Sequence, residues 1–367
     1  MLDLVAQHRS IRGEVMAAMT AVVDRQGFIM GPEVAQLEAA VATLSATRFA
    51  VGCASGTDAL LLPLRALDLK PGDEVITAPF TFFATAGAIH NAGGRPVFVD
   101  IDPVTFNILP EAVEAAITPR TRAIIPVHLF GQMAAVEQIL PIAERHGLAV
   151  IEDGAQSIGA RRKVNGTWRM TGELGTCGTL SFFPSKNLGG WGDGGMIVTQ
   201  DEAFAARLRR QRLHGGSVQY FHDEVGTNSR LDTLQAAVLL AKLPHLAAWS
   251  EARRRNAARY SAAFAGSADV KAPETDPANE HIYNQYTLRV PRRDALLKHL
   301  QAREIGCAIY YPLSLHLQPC FAYLGYREGS LPASEVASRE VISLPVYPEL
   351  APAQQDAVID AIRAFYA

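Results

Sequence analysis

One glycine-rich stretch of the chain, residues 171–195, reads TGELGTCGTLSFFPSKNLGGWGDGG and contains eight of the 29 glycines. Its last part separates two apolar runs, at 179–183 and 195–199, that are typical of strands. The connection between them is short and has no helical pattern, whereas parallel strands are usually joined through a helix. We therefore expect a sheet that is mixed at this point.

Towards the N-terminus, short apolar runs alternate with helical patterns. Strands are expected at 50–54, 74–79, 95–101, 123–129 and 147–152, and helices between them at 57–67, 81–92, 110–118 and 134–146. Runs such as Ala149-Val150-Ile151 lack alternating polar residues, as in strands that are covered on both faces. The alternation predicts a three-layer α/β domain with a mixed, mostly parallel, seven-stranded sheet.

The C-terminal third of the chain has a different pattern. A helical pattern at 231–265 precedes a proline-containing loop at 272–279. Beyond the loop, strands are expected at 283–290, 307–311 and 341–346, and helices at 292–304 and 353–365. We expect a large domain at 1–245 and a smaller α/β domain at 246–367. The run Arg253-Arg254-Arg255 is expected to form a solvated helix face.

Composition and charge exclude several classes of protein. Lys and Arg number 34 against 37 Asp and Glu, a net charge of −3, so the chain lacks the basic field that nucleic acids and anionic membranes require. No apolar run reaches the ~18 residues of a membrane span, and the N-terminal segment MLDLVAQHRS is too polar for a signal peptide. The four cysteines form no C-x-x-C pair, so no metal site is predicted. We expect a cytoplasmic protein.

Lys186 is an unusual lysine because phenylalanine, proline and glycine surround it in SFFPSKNLGG, residues 181–190. A lysine that loses water loses proton affinity, and its neutral amine forms imines with carbonyl compounds. The alternative is a loop lysine in solvent, which is what most lysines are when the position is taken alone.

Two further sites follow buried strands. The segment VIEDGAQS, residues 150–157, ends a strand with Glu152 and Asp153, at the sheet edge where α/β proteins bind ligands. The segment CASGTDAL, residues 53–60, turns through Gly56 into a helix near Thr57, and a helix N-terminus attracts phosphate. The alternatives are a core salt bridge or helix cap for the first, and an ordinary capped turn for the second.

Together, a phosphate cradle, a carboxylate and an imine-forming lysine are the groups that pyridoxal 5′-phosphate requires. The carboxylate would keep the pyridine nitrogen protonated. A match to G-x-G-x-x-G at Gly190, Gly192 and Gly195 is rejected as a dinucleotide site, since a strand pattern and no helix follows it.

Several longer motifs carry a family resemblance, namely ASGTDAL, TAPFTFFATAGAI, VFVDID, EDGAQSIGA, SFFPSKNLG, GDGGMI, NSRLDTLQAA and YYPLSLHLQP. With them the chain resembles the nucleotide-sugar aminotransferases of the DegT/DnrJ type. These are pyridoxal-phosphate enzymes of fold type I, the aspartate-aminotransferase-like fold. The resemblance extends over nearly the whole chain, from FIMGPEV at residue 28 to SLPVYPEL at residue 350.

The resemblance implies a role for individual residues. Lys186 would bond covalently to the cofactor and then shuttle a proton between Cα and C4′. The other implied cofactor contacts are Asp153 at the pyridinium nitrogen, Gln156 at the ring hydroxyl, Phe82 on the ring face, and Gly56, Thr57 and Ser181 at the phosphate. Asn228 would reach the phosphate from the other subunit, which implies a homodimer with shared active sites.

The implied reaction moves an amino group from L-glutamate, which becomes 2-oxoglutarate, to a keto sugar carried on a nucleotide. The run at 228–232 is similar to that of members that aminate C3 of the sugar. The overall sequence is most similar to members that aminate a UDP-linked 3-keto-glucuronic acid with an acetamido group. Arg230 suits recognition of that sugar's carboxylate. Tyr310, Tyr311 and His316 are the other expected substrate contacts, although these relatives have His-Tyr-Pro where this chain has Tyr310-Tyr311-Pro312.

Three alternatives remain. The enzyme could aminate C4, or it could be a pyridoxal-phosphate-dependent sugar dehydratase on the same fold. Some relatives of the dehydratase kind replace the lysine by histidine, and Lys186 argues against that branch. A regulator without enzymatic activity is the third, and it predicts the loss of Lys186, Asp153 or Gln156, all of which are present.

Overall fold

The computed structural model describes residues 2–367. The strands are β1 (Phe49–Cys53), β2 (Glu74–Thr77), β3 (Arg95–Phe98), β4 (Thr121–Ile125), β5 (Ala149–Asp153), β6 (Arg161–Val164), β7 (Thr167–Met170), β8 (Cys177–Ser181), β9 (Gly195–Thr199), β10 (Asn279–Glu280), β11 (Tyr286–Arg289) and β12 (Val341–Leu344). The helices are α1 (Leu4–Arg25), α2 (Pro32–Leu44), α3 (Gly56–Ala66), α4 (Ala84–Asn91), α5 (Pro110–Ala115), α6 (Val136–His146), α7 (Glu202–Gln211), α8 (Thr233–Lys242), α9 (Leu246–Phe264), α10 (Arg293–Gln301), α11 (Pro332–Glu340) and α12 (Pro352–Tyr366).

The central sheet has seven strands in the order β1-β9-β8-β5-β4-β2-β3. The strands from β8 to β3 are parallel to their neighbours, while β9 is antiparallel to both β8 and β1. The prediction of a mixed, mostly parallel sheet is therefore confirmed. The reversal at β9 follows from the glycine-rich connection, which returns the chain without a crossover helix.

Helices cover both faces of this sheet. Val150 packs in a core with Ile139 of α6, whereas the next residue, Ile151, packs in a second core with Leu60 and Leu64 of α3. Successive side chains of a strand point to opposite faces, so β5 is buried from both sides. This explains why the strand is apolar without alternation and confirms the three-layer arrangement.

The C-terminal part has its own core. The strands β11 and β12 pair antiparallel, and α9, α10 and α12 contribute to a cluster that includes Tyr260, Tyr286, Leu296 and Ile359. We propose that the domains meet at residues 245 and 246, because α9 begins there and its inner face joins this second core.

Two expected elements of the C-terminal part are wrong. The helical pattern at 231–265 is interrupted at 243–245 by a short 3₁₀ turn that contains Pro244, so α8 and α9 are separate helices. The expected strand at 307–311 makes only one isolated bridge, between Ala308 and Ser343. Its residues Tyr310 and Tyr311 leave the small sheet and pack partly against the large-domain core.

The expectation of a solvated arginine face is also wrong for one residue. Arg253 is 2% exposed, while Arg254 is half-buried and Arg255 is exposed. Arg253 lies one helical turn after Trp249 and one before Ala257, and both of these side chains are buried in the inner face of α9. A charge run alone did not reveal this, because the three arginines point in different directions around the helix.

Candidate active site

A cleft of about 420 Å³ opens at the carboxyl ends of the parallel strands, where α/β sheets bind ligands. The sequence-predicted residues that line it are Gly56, Thr57, Phe82, Asp153, Gln156, Ser181, Lys186, Tyr310 and Tyr311. The fold thus brings together three sequence sites that lie far apart in the chain.

Lys186 is positioned by a turn after β8, in which its backbone N–H donates to the carbonyl of Phe183 at 2.8 Å. The side chain lines the cleft, and desolvation lowers the pKa of its amine to about 8, against the opposing effect of the Asp153 charge. A lysine amine in this range is neutral often enough near neutrality to act as a nucleophile and as a base.

Asp153 ends β5 and is 4% exposed. Its Oδ2 accepts a hydrogen bond from the Thr85 hydroxyl at 2.8 Å, and its Oδ1 accepts one from the Ala155 N–H at 3.2 Å. Burial raises the pKa of Asp153, while those hydrogen bonds and the Lys186 charge act in the opposite direction. A carboxylate desolvated in this way favours a cation placed beside it in the cleft.

The start of α3 forms a cradle with the end of β8. A Cβ at Gly56 would lie 2.6 Å from the Cβ of Ser181 and 2.8 Å from its hydroxyl oxygen, so only glycine fits there. The Ser55 hydroxyl caps α3 by accepting from the Asp58 N–H at 3.1 Å. The first amides of a helix have no partner within the helix, so here those of Gly56 and Thr57 are available to an anion, together with the Ser181 hydroxyl.

Gln156 and Tyr311 form a polar wall of the cleft. The backbone N–H of Phe130 donates to Oε1 of Gln156 at 2.7 Å, and Nε2 of Gln156 donates to the Tyr311 hydroxyl at 3.1 Å. The carbonyl end of this amide is therefore held by the protein, and its N–H₂ end faces the cleft. Phe82 is 58% exposed and lies near Tyr311, with 6.4 Å between ring centroids, so its face is open to a ligand ring.

Two predicted residues lie away from the cleft of their own chain. Asn228 is exposed and bridges to Leu213, and Arg230 lines a separate depression formed by residues 213–230. The adjacent Ser229 is buried and donates to Asp58 of α3 at 2.7 Å, so this segment is anchored beside the phosphate cradle.

The expected substrate contact His316 is not supported. The side chain is buried at 1% exposure, and its Nε2 lies 3.1 Å from Oε1 of Glu335 in α11. After Tyr311 the chain turns into a short 3₁₀ helix at 315–317, which carries this histidine into the protein and away from the cleft. Only Nε2 of His316 is paired, since the buried Nδ1 has no hydrogen-bond partner within residues 2–367. His128 is also a core histidine, and its Nε2 lies 2.8 Å from buried Glu152.

The structure adds residues that sequence reasoning missed. Thr85 orients Asp153, and a signal for it existed, since it stands in the same TAPFTFFATAGAI segment as Phe82. The Phe130 N–H that fixes Gln156 is a backbone group in a 3₁₀ turn, which no side-chain pattern reveals. Ser185 and Gln285 also line the cleft, and Gln285 comes from the C-terminal part.

These features fit pyridoxal 5′-phosphate. The Gly56–Ser181 cradle admits a phosphate only because no Cβ is present, the buried carboxylate of Asp153 suits a protonated ring nitrogen, and the Gln156 amide suits the ring hydroxyl. Within residues 2–367, no group of three or more His, Cys, Asp or Glu side chains is arranged to hold a metal ion. None of the helices in that range is long and apolar enough to cross a membrane.

The chain is similar to known proteins over nearly its whole length. Residues 9–363 match the model of the DegT/DnrJ/EryC1/StrS aminotransferase family. A "pleiotropic regulatory protein" of Geobacillus stearothermophilus is 51% identical over 100% of this chain and 98% of its own length. The UDP-N-acetyl-3-dehydro-alpha-D-glucosamine 3-aminotransferase of Acidithiobacillus ferrooxidans is 46% identical over 99% of this chain and 96% of its own length.

A solved structure of a similar protein has the same fold. The crystal structure of S. venezuelae DesV, in complex with a ketimine intermediate, superposes with a TM-score of 0.96 at 43% identity, over 99% of this chain and 97% of that one. The aspartate-aminotransferase-like fold is thereby confirmed. The chain therefore belongs to the DegT/DnrJ/EryC1/StrS family of aminotransferases, enzymes that use pyridoxal 5′-phosphate.

Proposed function

We propose that this enzyme transfers the amino group of L-glutamate to the C3 keto group of a nucleotide-linked sugar. The observation that carries the proposal is the assembly of Lys186, Asp153 and Gln156 around one cleft at the carboxyl edge of the sheet. The position C3 is supported by the relative from Acidithiobacillus ferrooxidans, which is named as a 3-aminotransferase of a UDP-linked keto sugar.

The bound cofactor supplies an aldehyde carbon that takes up amines and a ring that accepts electrons. Lys186 is the amine that attaches it to the protein. With the cofactor and substrate bound, the amine of Lys186 would take the proton that leaves the substrate carbon and hold it for return to the reacting group. Its pKa of about 8 suits both duties near neutral pH.

Asp153 would keep the ring nitrogen of the cofactor protonated, and Thr85 and Ala155 hold the two oxygens of its carboxylate in place. Gln156 would donate to the ring hydroxyl of the cofactor from an amide that the Phe130 N–H orients. Phe82 would cover one face of the cofactor ring, and the cradle of Gly56, Thr57 and Ser181 would hold the phosphate.

We also propose a homodimer in which Asn228 reaches the phosphate of the neighbouring subunit. The segment before it carries the exposed apolar side chains Val218, Tyr220, Phe221 and Val225. Exposed apolar patches of this kind mark interaction surfaces, and a second copy of the chain is the partner that shared active sites require.

Complementation tests this arrangement. Lys186→Ala and Asn228→Asp are each expected to be nearly inactive alone, because the first lacks the amine and the second places a negative charge at the phosphate. A mixed dimer has one site with both defects and one site with neither, so purified mixed dimers should have about half of wild-type activity. Activity is measured on tag-purified mixed dimers. No recovery in these dimers would contradict the shared site.

For the sugar, Arg230 remains our candidate for a carboxylate on the substrate, and Tyr310 and Tyr311 line the cleft where the sugar would lie. Amination at C4 and dehydration are the competing reactions. The 51%-identical relative is named as a regulator, but this chain retains the whole catalytic set within one cleft.

The experiment runs the reaction backwards. UDP-, dTDP- and GDP-linked 3-amino and 4-amino sugars are incubated separately with the purified enzyme and 2-oxoglutarate, and glutamate is quantified. We expect glutamate from a UDP-linked 3-amino sugar in proportion to the sugar consumed. Glutamate from 4-amino sugars alone would move the reaction to C4, and loss of sugar hydroxyl without glutamate would indicate a dehydratase.

A further inference from the structure

A small cavity of about 40 Å³ adjoins the main cleft at the junction of the two domains. Ser185, Gln285 and Tyr310 line both cavities, so the small one extends from the neighbourhood of Lys186. Among the described residues that line it, Arg253 is the only charged one.

Arg253 is a buried cation without an anionic partner. Its Nη1 donates to the backbone carbonyls of Tyr283, Asn284 and Val346 at 3.1, 3.4 and 2.8 Å. Its Nε is buried and has no acceptor within residues 2–367. No carboxylate of that part of the chain lies within 4.0 Å of the guanidinium as an ion pair. Glu349 acts on it only from a distance.

A buried charge is costly unless an opposite charge and hydrogen bonds compensate it. Three carbonyls satisfy Nη1, which leaves the other nitrogens for an anion. A guanidinium binds carboxylates in a two-pronged geometry, and the cavity has room for a group of a few atoms. An anion that reaches this place enters through the main cleft and sits next to Lys186.

We propose that Arg253 and the hydroxyls of Ser185 and Tyr310 bind the α-carboxylate of the amino donor. Removal of the α-proton requires Cα of the amino acid to lie at Lys186, and its α-carboxylate is one bond away. The subsite therefore discriminates amino acids from simple amines. The keto sugar presents no such group at its reacting carbon and does not use the subsite. This inference rests on the proposed transfer from an amino acid.

The test uses the holoenzyme and the amino-donor half-reaction alone, followed by the visible absorbance of the cofactor. Arg253→Met should raise the L-glutamate concentration for half-maximal rate by on the order of 10- to 100-fold, the loss expected for charge-assisted hydrogen bonds. The rate with the keto sugar should stay within a few-fold of wild type. Arg254→Met is the matched control, since Arg254 pairs with Glu251 and Glu280 outside the cleft. It should behave as wild type.

A second substrate separates recognition from structural damage. 4-Aminobutyrate has the chain of glutamate without the α-carboxylate. Wild type should react with L-glutamate much faster than with 4-aminobutyrate. In Arg253→Met, the ratio of the rate constant with L-glutamate to that with 4-aminobutyrate should fall towards one. An unchanged ratio, or an unchanged glutamate dependence, would overturn the proposal.

An independent experiment measures the binding of glutarate, an unreactive dicarboxylate, by calorimetry, so that no amino transfer is needed. Weaker binding by Arg253→Met than by Arg254→Met supports the subsite, and equal binding contradicts it. If wild type fails to react with L-glutamate, the proposed donor is wrong, while the glutarate arm still decides the role of Arg253. If Arg253→Met does not fold, Ser185→Ala combined with Tyr310→Phe leaves the Arg253 carbonyl contacts intact and should weaken glutarate several-fold.

Discussion

Replacing Lys186 by alanine should abolish amino transfer, with a fall in kcat of at least about 10³-fold, because one amine serves as both attachment point and proton carrier. The variant should still bind the cofactor without a covalent bond. Borohydride treatment followed by peptide mass spectrometry measures this directly. Wild type should carry the reduced cofactor on the peptide that contains Lys186, and the variant should carry none.

The control for this prediction is Lys163→Ala, which removes an exposed lysine of β6. It should keep the wild-type rate and the labelled peptide. Substantial activity in Lys186→Ala, or reduced cofactor on another lysine, would contradict the assignment of the catalytic amine.

Asp153→Asn should lower kcat by at least about 10²-fold, a loss typical of removing one preorganised electrostatic partner of the reacting group. The amide has the shape of the carboxylate but cannot hold a protonated ring nitrogen. The fold should not suffer. Burial raises the pKa of this carboxyl above its unfolded value, so the charged form disfavours folding at neutral pH, and a neutral amide removes that cost.

Both parts of this prediction are measured on one preparation, by steady-state kinetics and by urea unfolding of the cofactor-free protein. Thr85→Val is the graded comparison, since it removes only the hydroxyl that donates to Asp153, and we expect a loss of roughly 3- to 10-fold. An active Asp153→Asn, or one inactive only because it unfolds, would argue against the assigned role.

The fold could be predicted from the sequence because its strongest signals are local. The apolar runs of the seven sheet strands, the helical patterns between them and the glycine-rich return before β9 each correspond to an observed element. The antiparallel hairpin of β6 and β7 was missed, since its segments RRKV and TWRM are charged and largely exposed. The prediction of a strand at 307–311 was wrong because Tyr310 and Tyr311 pack at the cleft and do not continue the small sheet.

The candidate site was predictable where a side chain follows a strand or begins a helix. Lys186, Asp153 and Gly56 belong to this class, and the structure brings all three to one cleft. Contacts that depend on how segments distant in sequence pack together could not be predicted from the sequence. The Phe130 amide that orients Gln156 and the burial of Arg253 both belong to this second class.

The net charge of −3 has the same sign as the ligands proposed for the site. The proposed ligands are anionic, and a slightly acidic chain cannot attract them by its overall field. Local groups have to do so: the α3 N-terminus for the cofactor phosphate and, in our proposal, Arg253 for the amino donor and Arg230 for the sugar.

Transfer of an isotope measures the proposed reaction directly. L-glutamate labelled with ¹⁵N is incubated with the enzyme and a UDP-linked 3-keto sugar, and the sugar product is examined by NMR. We predict that ¹⁵N appears on C3 of the sugar in an amount equal to the 2-oxoglutarate formed. A sugar product without ¹⁵N, or 2-oxoglutarate formed without an aminated sugar, would contradict it.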